Sequence, residues 1–534
     1  KFGFEGFIAP VNPKGGTIFG LPAFQSMAEI PQHIELALIM VPASSVREAV
    51  RDCAAAGVDV AIVMSSGFGE VDPDGQVAQQ ELVDIARAAG MRLVGPNCIG
   101  SVGGAHRVMA TFSPVFSSES TPLPEGNIAL VSQSGALGFG ALSLGLERGV
   151  PIGIAITTGN EADVTATEVA AQLAQDPEVD AVVMYVESLG NMDQLIRLAG
   201  SKPIAILKAG RSVAGAAAAA SHTGALASPD KVVSAVLAQN RIARANNIDE
   251  LLDIAALFAS ETKIAGPAVG IVTTSGGSGI LAVDALESEG LALAELGTET
   301  VTALEEIVPS YGNATNPVDV TAAVMAESGL FERCVNRLST DPSVNAIVAC
   351  FAVLVGKDVD RIAQALGAVR ESTGLPVVAV RTGAAALAPE GAQVLKEAGI
   401  PVYPTPERAV AALRALVTIN SPERKDLAPS THPRIPVPQP GASEKDLKEL
   451  LAHAGLPIPE SLVVTSGSDA VGAVGAVGGR AVFKAVVPGL LHKSDAGGVV
   501  LDVNAEKALD TFARLQALGG DVLVERFVPG GVEV

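Results

Sequence analysis

The chain has 534 residues, of which 48% are hydrophobic, and its formal net charge at pH 7 is −22. A chain of this length can form several hydrophobic cores, so we expect three to five domains. The negative charge argues against nucleic acid as a partner, because phosphate backbones would be repelled. The sequence contains no signal peptide and no apolar run of about 18 residues, so we expect no membrane-spanning segment.

The four cysteines are scattered along the chain: Cys53, Cys98, Cys334 and Cys350. They lack the CxxC spacing of metal sites, which indicates reduced, cytoplasmic cysteines without a metal role. The chain has no Trp and many small residues, a composition typical of α/β packing, in which strands lie against helices with small faces.

The first stretch alternates short apolar runs with helical patterns. Buried parallel strands are predicted at residues 7–10, 36–41, 60–64 and 92–94, and helices at residues 45–56 and 74–89. This order predicts a doubly wound sheet. The usual opening of such a sheet, a strand and a glycine turn that holds pyrophosphate, is absent. We therefore expect the sequence to begin inside a domain.

Two further α/β units begin near Gly126 and Gly266, and they resemble each other. Residues 131–138 (VSQSGALG) align with residues 272–279 (VTTSGGSG), and each run follows an apolar strand and opens a helix. A repeat of whole domains is a stronger signal than either glycine turn alone. Further strands of the third unit are predicted at residues 346–351, 376–380 and 400–403.

A proline-rich stretch separates these units from the last part of the chain. Six prolines lie between Ser421 and Ser443, a density that favours an extended linker. A helix is predicted at residues 444–454, followed by strands at residues 462–464, 481–485, 499–503 and 522–525. This last domain looks incomplete at Val534.

His222 is the most informative residue, because it follows an alanine run and precedes a Thr-Gly turn with no second metal ligand nearby. This setting suits a histidine that acts as a nucleophile from a loop. The alternative is a loop histidine without chemistry, and the loop alone favours that alternative. The remaining features of the chain reverse the preference.

The two strand–turn–helix repeats place glycine turns at helix N-termini, where free N–H groups and the helix dipole attract an anion. The residues concerned are Ser134, Gly135, Ser275, Gly276 and Gly277. Two such termini that face each other could hold one phosphoryl group. The alternative is a pair of ordinary loops in which glycine permits tight packing.

Other polar residues occupy strand ends or interrupt apolar strands. Glu187 follows the apolar run 181–186, where its carboxylate could orient an imidazole, although an exposed loop acid is equally compatible. Lys484 interrupts an apolar strand, which indicates an anionic partner such as phosphate, unless its amine reaches solvent. Glu525 ends a strand before an extended turn that could pair with an adenine edge, and His492 lies in a glycine-bearing loop.

These features together resemble the nucleoside-diphosphate-forming acyl-CoA synthetases, the ADP-forming acetyl-CoA synthetase branch related to succinyl-CoA synthetase. The resemblance covers essentially the whole chain. It rests on Asn12-Pro13-Lys14, Val41-Pro42, Ser65-Ser66-Gly67, Gly95-Pro96-Asn97-Cys98, Ser132-Gln133-Ser134-Gly135, Ser221-His222-Thr223-Gly224, Asn316-Pro317-Val318-Asp319 and the stretch from Lys484 to Glu533.

The resemblance implies an α/β protein with several Rossmann-like and flavodoxin-like domains and part of an ATP-grasp domain. The implied bounds are 1–122 for a CoA-binding domain without its first strand and glycine turn, 123–262 for the phosphohistidine domain, 263–420 for a second ligase domain, 421–443 for the linker and 444–534 for the N-terminal part of the ATP-grasp domain.

The resemblance also implies the roles of residues. His222 would carry the phosphoryl group, Glu187 would stabilise it, and His492 would be a second phosphoryl carrier. The CoA site would contain Lys14, Pro42, Ser65, Ser66 and Asn97, and the ATP site Lys484, Glu525, Phe527 and Val528. CoA, ATP or ADP and Mg²⁺ would take part, a carboxylic acid would be the substrate, and the protein would form a homodimer. The magnesium ligands are expected beyond the sequence given.

The implied reaction joins a carboxylic acid to CoA at the expense of ATP, through a phosphohistidine and an acyl phosphate, and gives acyl-CoA, ADP and phosphate. The alternative is a CoA-sensing body of a lysine acetyltransferase fusion, which would lack this turnover. The presence of His222 favours the synthetase. We expect the natural chain to continue past Val534.

Overall fold

A computed structural model describes most of the chain. The described residues are 2–118, 121–190, 192–217, 230–260, 262–327, 329–352, 357–383, 389–421, 444–487 and 496–530. They fall into two compact units, Lys1–Arg424 and Lys425–Val534, and each unit is described by itself. The predicted linker lies outside the described residues, apart from Ser421.

The first unit begins with a small parallel sheet. A hairpin of β1 (Thr17–Ile18) and β2 (Leu21–Pro22) precedes it. The sheet has the order β3 (Leu36–Ile39), β4 (Val60–Val63) and β5 (Arg92–Val94), with crossover helices Ala43–Ala55 and Pro73–Ala88. The two helices cover one face of the sheet. Because the strands are parallel, the polar residues that follow β3, β4 and β5 meet at one edge.

The strand predicted at residues 7–10 was wrong. Within the described residues 2–118, this segment forms no strand, and Phe7 and Ile8 have exposed fractions of 47% and 54%. Pairing of the backbone begins only after this segment, at an isolated bridge between Val11 and Phe24, and Pro10 has no N–H to extend it.

The second sheet has seven strands in the order β12-β11-β10-β8-β9-β6-β7. They are β6 (Gly100–Gly103), β7 (Val108–Thr111), β8 (Ile128–Ser132), β9 (Ile152–Thr157), β10 (Ala181–Val186), β11 (Ile204–Lys208) and β12 (Ala243–Ala245). Its helices are Gly135–Arg148, Ala166–Leu173, Met192–Ala199, Asp230–Gln239 and Ile248–Phe258. Strands β6 and β7 are antiparallel additions from the chain segment that precedes β8.

The third sheet is parallel and has the order β14-β13-β16-β17-β18, with β15 beside β13. The strands are β13 (Ala268–Thr273), β14 (Ala292–Leu293), β15 (Val318–Asp319), β16 (Ala346–Ala352), β17 (Val377–Thr382) and β18 (Val402–Tyr403). The helices are Gly276–Ser288, Thr298–Glu305, Leu330–Ser339, Lys357–Thr373, Pro389–Glu397 and Pro406–Asn420.

The second and third sheets share one hydrophobic core. Buried residues of the helices Gly135–Arg148, Ile248–Phe258, Gly276–Ser288 and Pro406–Asn420 pack between them. A bidentate ion pair also crosses this layer, since Arg408 Nε lies 2.5 Å from Asp253 Oδ2 and Nη2 lies 2.6 Å from Oδ1. The repeated strand–turn–helix units are therefore parts of one packed body.

The second unit is a four-stranded antiparallel sheet in the order β19-β22-β20-β21. The strands are β19 (Ser461–Val464), β20 (Ala481–Val486), β21 (Val499–Val503) and β22 (Asp521–Arg526), and the helices are Glu444–His453, Gly467–Ala476 and Ala505–Gln516. Phe483 and Phe512 belong to the core beneath the last two helices. The four strands predicted in this part of the sequence are all present.

Candidate active site

The first glycine turn follows β8 and starts the helix Gly135–Arg148. Ser134 caps this helix, because its Oγ accepts a hydrogen bond of 3.4 Å from the N–H of Leu137. A Cβ atom on Gly135 would lie 2.6 Å from Cγ1 of Ile99, so glycine is needed here for close packing. The turn is thus both a packing device and a helix N-terminus at the end of a strand.

The second glycine turn follows β13 and differs from the first. Ser275 precedes the helix Gly276–Ser288 without a side-chain capping bond. A Cβ atom on Gly277 would meet nothing within 4 Å, whereas one on Gly276 would lie 3.1 Å from Oδ2 of Asp319. Asp319 therefore places a carboxylate beside this N-terminus, where the helix dipole favours negative charge.

Glu187 lies directly beside the first turn. It follows β10, and Gln133, the neighbour of Ser134, accepts hydrogen bonds at Oε1 from the N–H groups of Glu187 (2.5 Å) and Ser188 (3.0 Å). Tyr185 Oη lies 3.5 Å from Glu187 Oε1. Burial and the nearby Glu187 charge raise the pKa of Tyr185 to about 12, so the phenol stays a hydrogen-bond donor at neutral pH.

Glu161 is a site residue that the sequence analysis missed. It lies in the loop after β9 and accepts hydrogen bonds from Gln133 Nε2 (2.8 Å), Thr158 Oγ1 (2.9 Å) and the N–H of Ala166 (2.6 Å). Burial raises the pKa of its carboxyl even though these hydrogen bonds act in the opposite direction. A lone loop acid gives no sequence signal, because its neighbours come from three separate segments.

Lys208 is a second residue that the sequence analysis missed. It ends β11, is buried with an exposed fraction of 5%, and its Nζ lies 2.5 Å from the carbonyl oxygen of Ala209. Burial, with the nearby Arg244 charge, lowers the pKa of its amine, while Asp230 and Glu187 act in the opposite direction. The cation therefore lies within electrostatic reach of Glu187 at the same end of the sheet.

A groove at the end of the first sheet contains part of the predicted CoA site. Pro42, Ser65 and Ser66 line it together with Met40, Val41, Ala43, Met64 and Phe112, and its volume is about 350 Å³. Ser65 Oγ donates to the carbonyl of Val41 (2.5 Å), and the carbonyl of Ser65 accepts from the N–H of Asn97 (3.0 Å). The structure thus brings together four of the five predicted residues.

Lys14 is the fifth predicted CoA residue, and it is not among those that line the groove. It is exposed, and its N–H donates to Oδ1 of Asn12 in a turn (2.9 Å). This turn does not follow a strand, because residues 7–10 form none. His222 and His492 lie outside the described residues.

Two of the four predicted nucleotide residues of the second unit, Lys484 and Glu525, belong to an ion-pair cluster. Lys484 Nζ lies 2.8 Å from Glu444 Oε1 and 2.9 Å from Glu525 Oε2, and Lys448 also pairs with both acids. Phe527 stacks under the Arg480 guanidinium at 4.9 Å, and Val528 is exposed. Lys484 therefore has carboxylate partners in this structure. Its side chain points to the face of the sheet opposite to that of Phe483, which lies in the core.

The described part of the chain bears on disulfide bonds, metal binding and membrane-spanning helices. The four cysteines are buried and free. Within the described residues, no three His, Cys, Asp or Glu side chains come together as a metal site. None of the helices described here combines the length and the apolar character required to cross a membrane.

Four protein families match successive parts of the chain. They are a CoA binding domain over residues 5–104, a succinyl-CoA ligase like flavodoxin domain over residues 125–258, a Ligase-CoA domain over residues 269–420 and an ATP-grasp domain over residues 441–520. This combination defines a ligase that forms or cleaves acyl-CoA thioesters.

Similar proteins specify the family. Acetate–CoA ligase (ADP-forming) I of Archaeoglobus fulgidus is 32% identical over 566 residues, which cover 99% of this chain and 79% of that protein. Subunit alpha of acetate–CoA ligase (ADP-forming) I of Pyrococcus furiosus is 35% identical over 426 residues, 78% of this chain and 90% of the subunit. The chain belongs to the ADP-forming acyl-CoA synthetase family.

A solved structure agrees with this assignment. The dinucleotide-forming acetyl-coenzyme A synthetase 1 of Candidatus Korarchaeum cryptofilum, in complex with phosphate and ADP, has a TM-score of 0.71 and 28% identity, and the match covers 78% of this chain and 89% of that one. The protein is an acid–thiol ligase, so the predicted family, fold class and reaction class are confirmed. No similarity found points to the acetyltransferase alternative.

Proposed function

We propose that the protein interconverts a carboxylic acid, CoA and ATP with acyl-CoA, ADP and phosphate through a phosphohistidine at His222. One observation carries this proposal: Gln133 joins the helix start at Ser134 to the backbone of Glu187 through a bond of 2.5 Å. A helix N-terminus that attracts anions and a carboxylate that can orient an imidazole thus belong to one assembly.

The proposed chemistry has three transfers. A nitrogen of His222 attacks the γ-phosphorus of ATP, directly or by way of His492, so that an N–P bond forms and the bond to ADP breaks. An oxygen of the carboxylate then takes the phosphoryl group from His222. Finally the CoA sulfur attacks the acyl carbon and displaces phosphate.

The residues of the chain have distinct parts in these transfers. Glu187 accepts the imidazole proton or hydrogen bond and fixes the ring orientation. The amides that follow Ser134 and Ser275, near Gly135, Gly276 and Gly277, stabilise the charge on the transferring group. Lys208 adds a cation at the same end of the sheet.

The groove beside Pro42, Ser65, Ser66 and Asn97 is the proposed site for part of CoA. Its walls combine apolar side chains with the Ser65 and Ser66 hydroxyls, a mixture suited to an amphipathic ligand. Lys14 is proposed to approach a CoA phosphate from outside the groove. Replacing Lys14 by Glu should weaken CoA binding in calorimetry more than replacing Lys202 by Glu, and equal affinities would remove Lys14 from the site.

In the second unit, Lys484 is proposed to exchange its carboxylate partners for ATP phosphates, while Glu525, Phe527 and Val528 contact the adenine. Mg²⁺ is proposed to accompany ATP; no ligands are assigned to it, since the described residues contain no acidic cluster of three. A cytoplasmic homodimer that uses a small carboxylic acid completes the proposal.

The reverse half-reaction tests the proposal without the ATP site. The chain is mixed with labelled phosphate and, in turn, each member of a series of acyl-CoA thioesters, and the label bound to the protein is measured after quenching. We expect one labelled phosphoryl group per active chain, dependent on the acyl-CoA and absent from His222→Ala. Equal labelling of His222→Ala would refute the assignment of His222.

A further inference from the structure

The Gln133 side chain acts as a clamp on the segment that carries Glu187. Its Oε1 accepts from the N–H groups of both Glu187 and Ser188, and its Nε2 donates to the carbonyl of Ser188 (2.9 Å). Gln133 is itself buried with an exposed fraction of 9%. One side chain therefore satisfies three backbone groups just past the end of β10.

Glu161 holds the NH₂ end of this amide. Its Oε2 lies 2.8 Å from Gln133 Nε2 and accepts a hydrogen bond from it. The NH₂ group of Gln133 can only donate, so it faces Glu161. The carbonyl end of the amide then faces the two N–H groups of Glu187 and Ser188.

Glu161 is in turn held firmly in place. Its φ angle is +56°, a left-handed conformation that costs energy for a residue with a side chain. Thr158 and the N–H of Ala166 hold its Oε1. The residues before and after Glu161 are also held: the N–H of Asn160 donates to the carbonyl of Pro96 (2.9 Å), and the N–H of Ala162 donates to the carbonyl of Gly95 (3.1 Å).

This loop also reaches the groove proposed for CoA. Asn160 Oδ1 accepts from Asn97 Nδ2 (3.2 Å), and the N–H of Asn97 bonds the carbonyl of Ser65, which lines the groove. Hydrogen bonds therefore connect Ser65 through Asn97 to Asn160, which precedes Glu161 in the chain.

We propose that Glu161 is a positioning residue: it fixes the Gln133 amide and thereby the backbone that presents the Glu187 carboxylate to the histidine. The role of the histidine rests on the proposed function. Glu161 does not touch the phosphoryl group in this proposal, and its effect is transmitted through Gln133.

The test uses Glu161→Gln, which keeps the size of the side chain. The new amide places an NH₂ group either against Gln133 or against the N–H of Ala166, so one of these contacts is lost. Phosphohistidine formation from labelled phosphate and the acyl-CoA that the wild type uses best should slow roughly 10- to 100-fold, since small displacements of reacting groups have effects of this size. The affinity for CoA, measured by calorimetry, should not change.

A charge swap provides a rescue. In Glu161→Gln combined with Gln133→Glu, the residue 161 amide donates to residue 133, which is the reverse of the wild-type direction. The second oxygen of residue 133 accepts from the N–H groups of Glu187 and Ser188, while the bond to the Ser188 carbonyl is lost. The swap should recover part of the lost rate. Glu168→Gln is the matched control, because Glu168 lies in the same region and caps the helix Ala166–Leu173 without touching Gln133; it should label at the rate of the wild type.

Amide hydrogen exchange at Glu187 and Ser188 gives a readout that does not depend on catalysis. Both amides should be protected in the wild type, exposed in Glu161→Gln and protected again in the swap. A wild type that is protected but never labelled would refute the proposed function and leave the positioning role intact. The positioning role is overturned if Glu161→Gln retains protection and rate, or if it loses CoA binding as well and the swap recovers nothing.

Discussion

At the scale of single residues, Glu187 is bonded through its backbone N–H to Gln133, the residue before Ser134 in the first glycine turn. Glu187→Gln keeps the shape of the side chain but removes the charge that would stabilise a cationic imidazole. We expect phosphohistidine formation to slow roughly 100-fold, the usual scale for the loss of a positioned acid–base group. Quenched-flow labelling measures the rate. The exposed Glu178→Gln is the control, and an equal rate in both variants would remove Glu187 from the site.

Asp341 offers a residue-scale test of stability against pH. Burial alone would raise its pKa, but hydrogen bonds from Ser343, Thr300 and the N–H of Gly297 lower the pKa from 3.8 to about 2. A carboxyl whose pKa is lower in the folded than in the unfolded state stabilises the fold at pH values above its unfolded-state pKa. This contribution is lost as the pH falls from about 4 to 2.

Asp341→Asn should therefore lower the free energy of unfolding by about 2 kcal/mol at pH 7, the scale of hydrogen bonds to a charged group. The difference from the wild type should shrink as the pH falls below 4. Denaturant unfolding at several pH values measures it. A difference that stays constant down to pH 2 would contradict the assignment of the pKa.

The sequence reveals some site residues and conceals others for a physical reason. Glu187 and Ser134 were predictable because each follows an apolar strand, and strand ends meet at one edge of a parallel sheet. Glu161 follows no such rule. Its position depends on a loop that is bonded to other segments of the chain, and this information is not local in the sequence.

At the scale of elements, substitutions in the two glycine turns are predicted to affect the melting temperature differently. Gly277→Ala adds a methyl group in open space, and alanine favours helix, so the melting temperature should be equal or higher. Phosphohistidine formation should nevertheless slow, since the methyl group would keep the anion away from the amides of the turn, and a lost anion contact commonly costs about 2–4 kcal/mol in the transition state. The labelling rate and the melting temperature are measured together.

Gly135→Ala is the contrasting variant, because its methyl group collides with Ile99 and should lower the melting temperature. Normal labelling in Gly277→Ala would mean that the second turn serves packing alone. The Asp319 carboxylate beside that turn would then be its permanent partner.

The prediction of elements succeeded where local patterns were strong. The strands of the second unit were found because apolar runs with β-branched residues are bounded by glycine and asparagine. Residues 7–10 were wrongly predicted to form a strand. An apolar run indicates a preference for burial, but it does not indicate that a partner strand is present. The antiparallel strands β6 and β7 have only four residues each, and two residues of β6 are glycines. The place of β6 beside β9, and of β7 beside β6, is fixed only by tertiary pairing.

At the scale of the whole molecule, Asp163 ties the loop after β9 to the first sheet. Its side chain is fully buried and bonds Arg87 (2.8 Å), Arg92 (2.9 Å) and the N–H of Leu93 (2.9 Å). These partners hold the pKa of its carboxyl below the ordinary value although burial opposes this. Asp163→Ala removes the acid of a hydrogen-bonded ion pair and leaves Arg87 and Arg92 without this partner. It should lower the free energy of unfolding by about 3 kcal/mol.

Calorimetric melting measures this change, and it should affect the transition of the first unit. Asp502→Asn is the control, because Asp502 pairs with Arg480 on the surface of the second unit and should leave the first transition unchanged. A first transition unaffected by Asp163→Ala would show that the loop is held by its other bonds.

His222 is proposed to carry a phosphoryl group between ATP and the acid. The most direct measurement is to incubate an intact form of the protein with labelled ATP and Mg²⁺ and to locate the label by peptide mapping, with acid and alkali lability as the chemical signature of phosphohistidine. We predict an acid-labile label at His222 that His222→Ala abolishes, and that His492→Ala slows from ATP while sparing labelling from acyl-CoA and phosphate. An unlabelled wild type, or equal labelling in His222→Ala, would contradict the account.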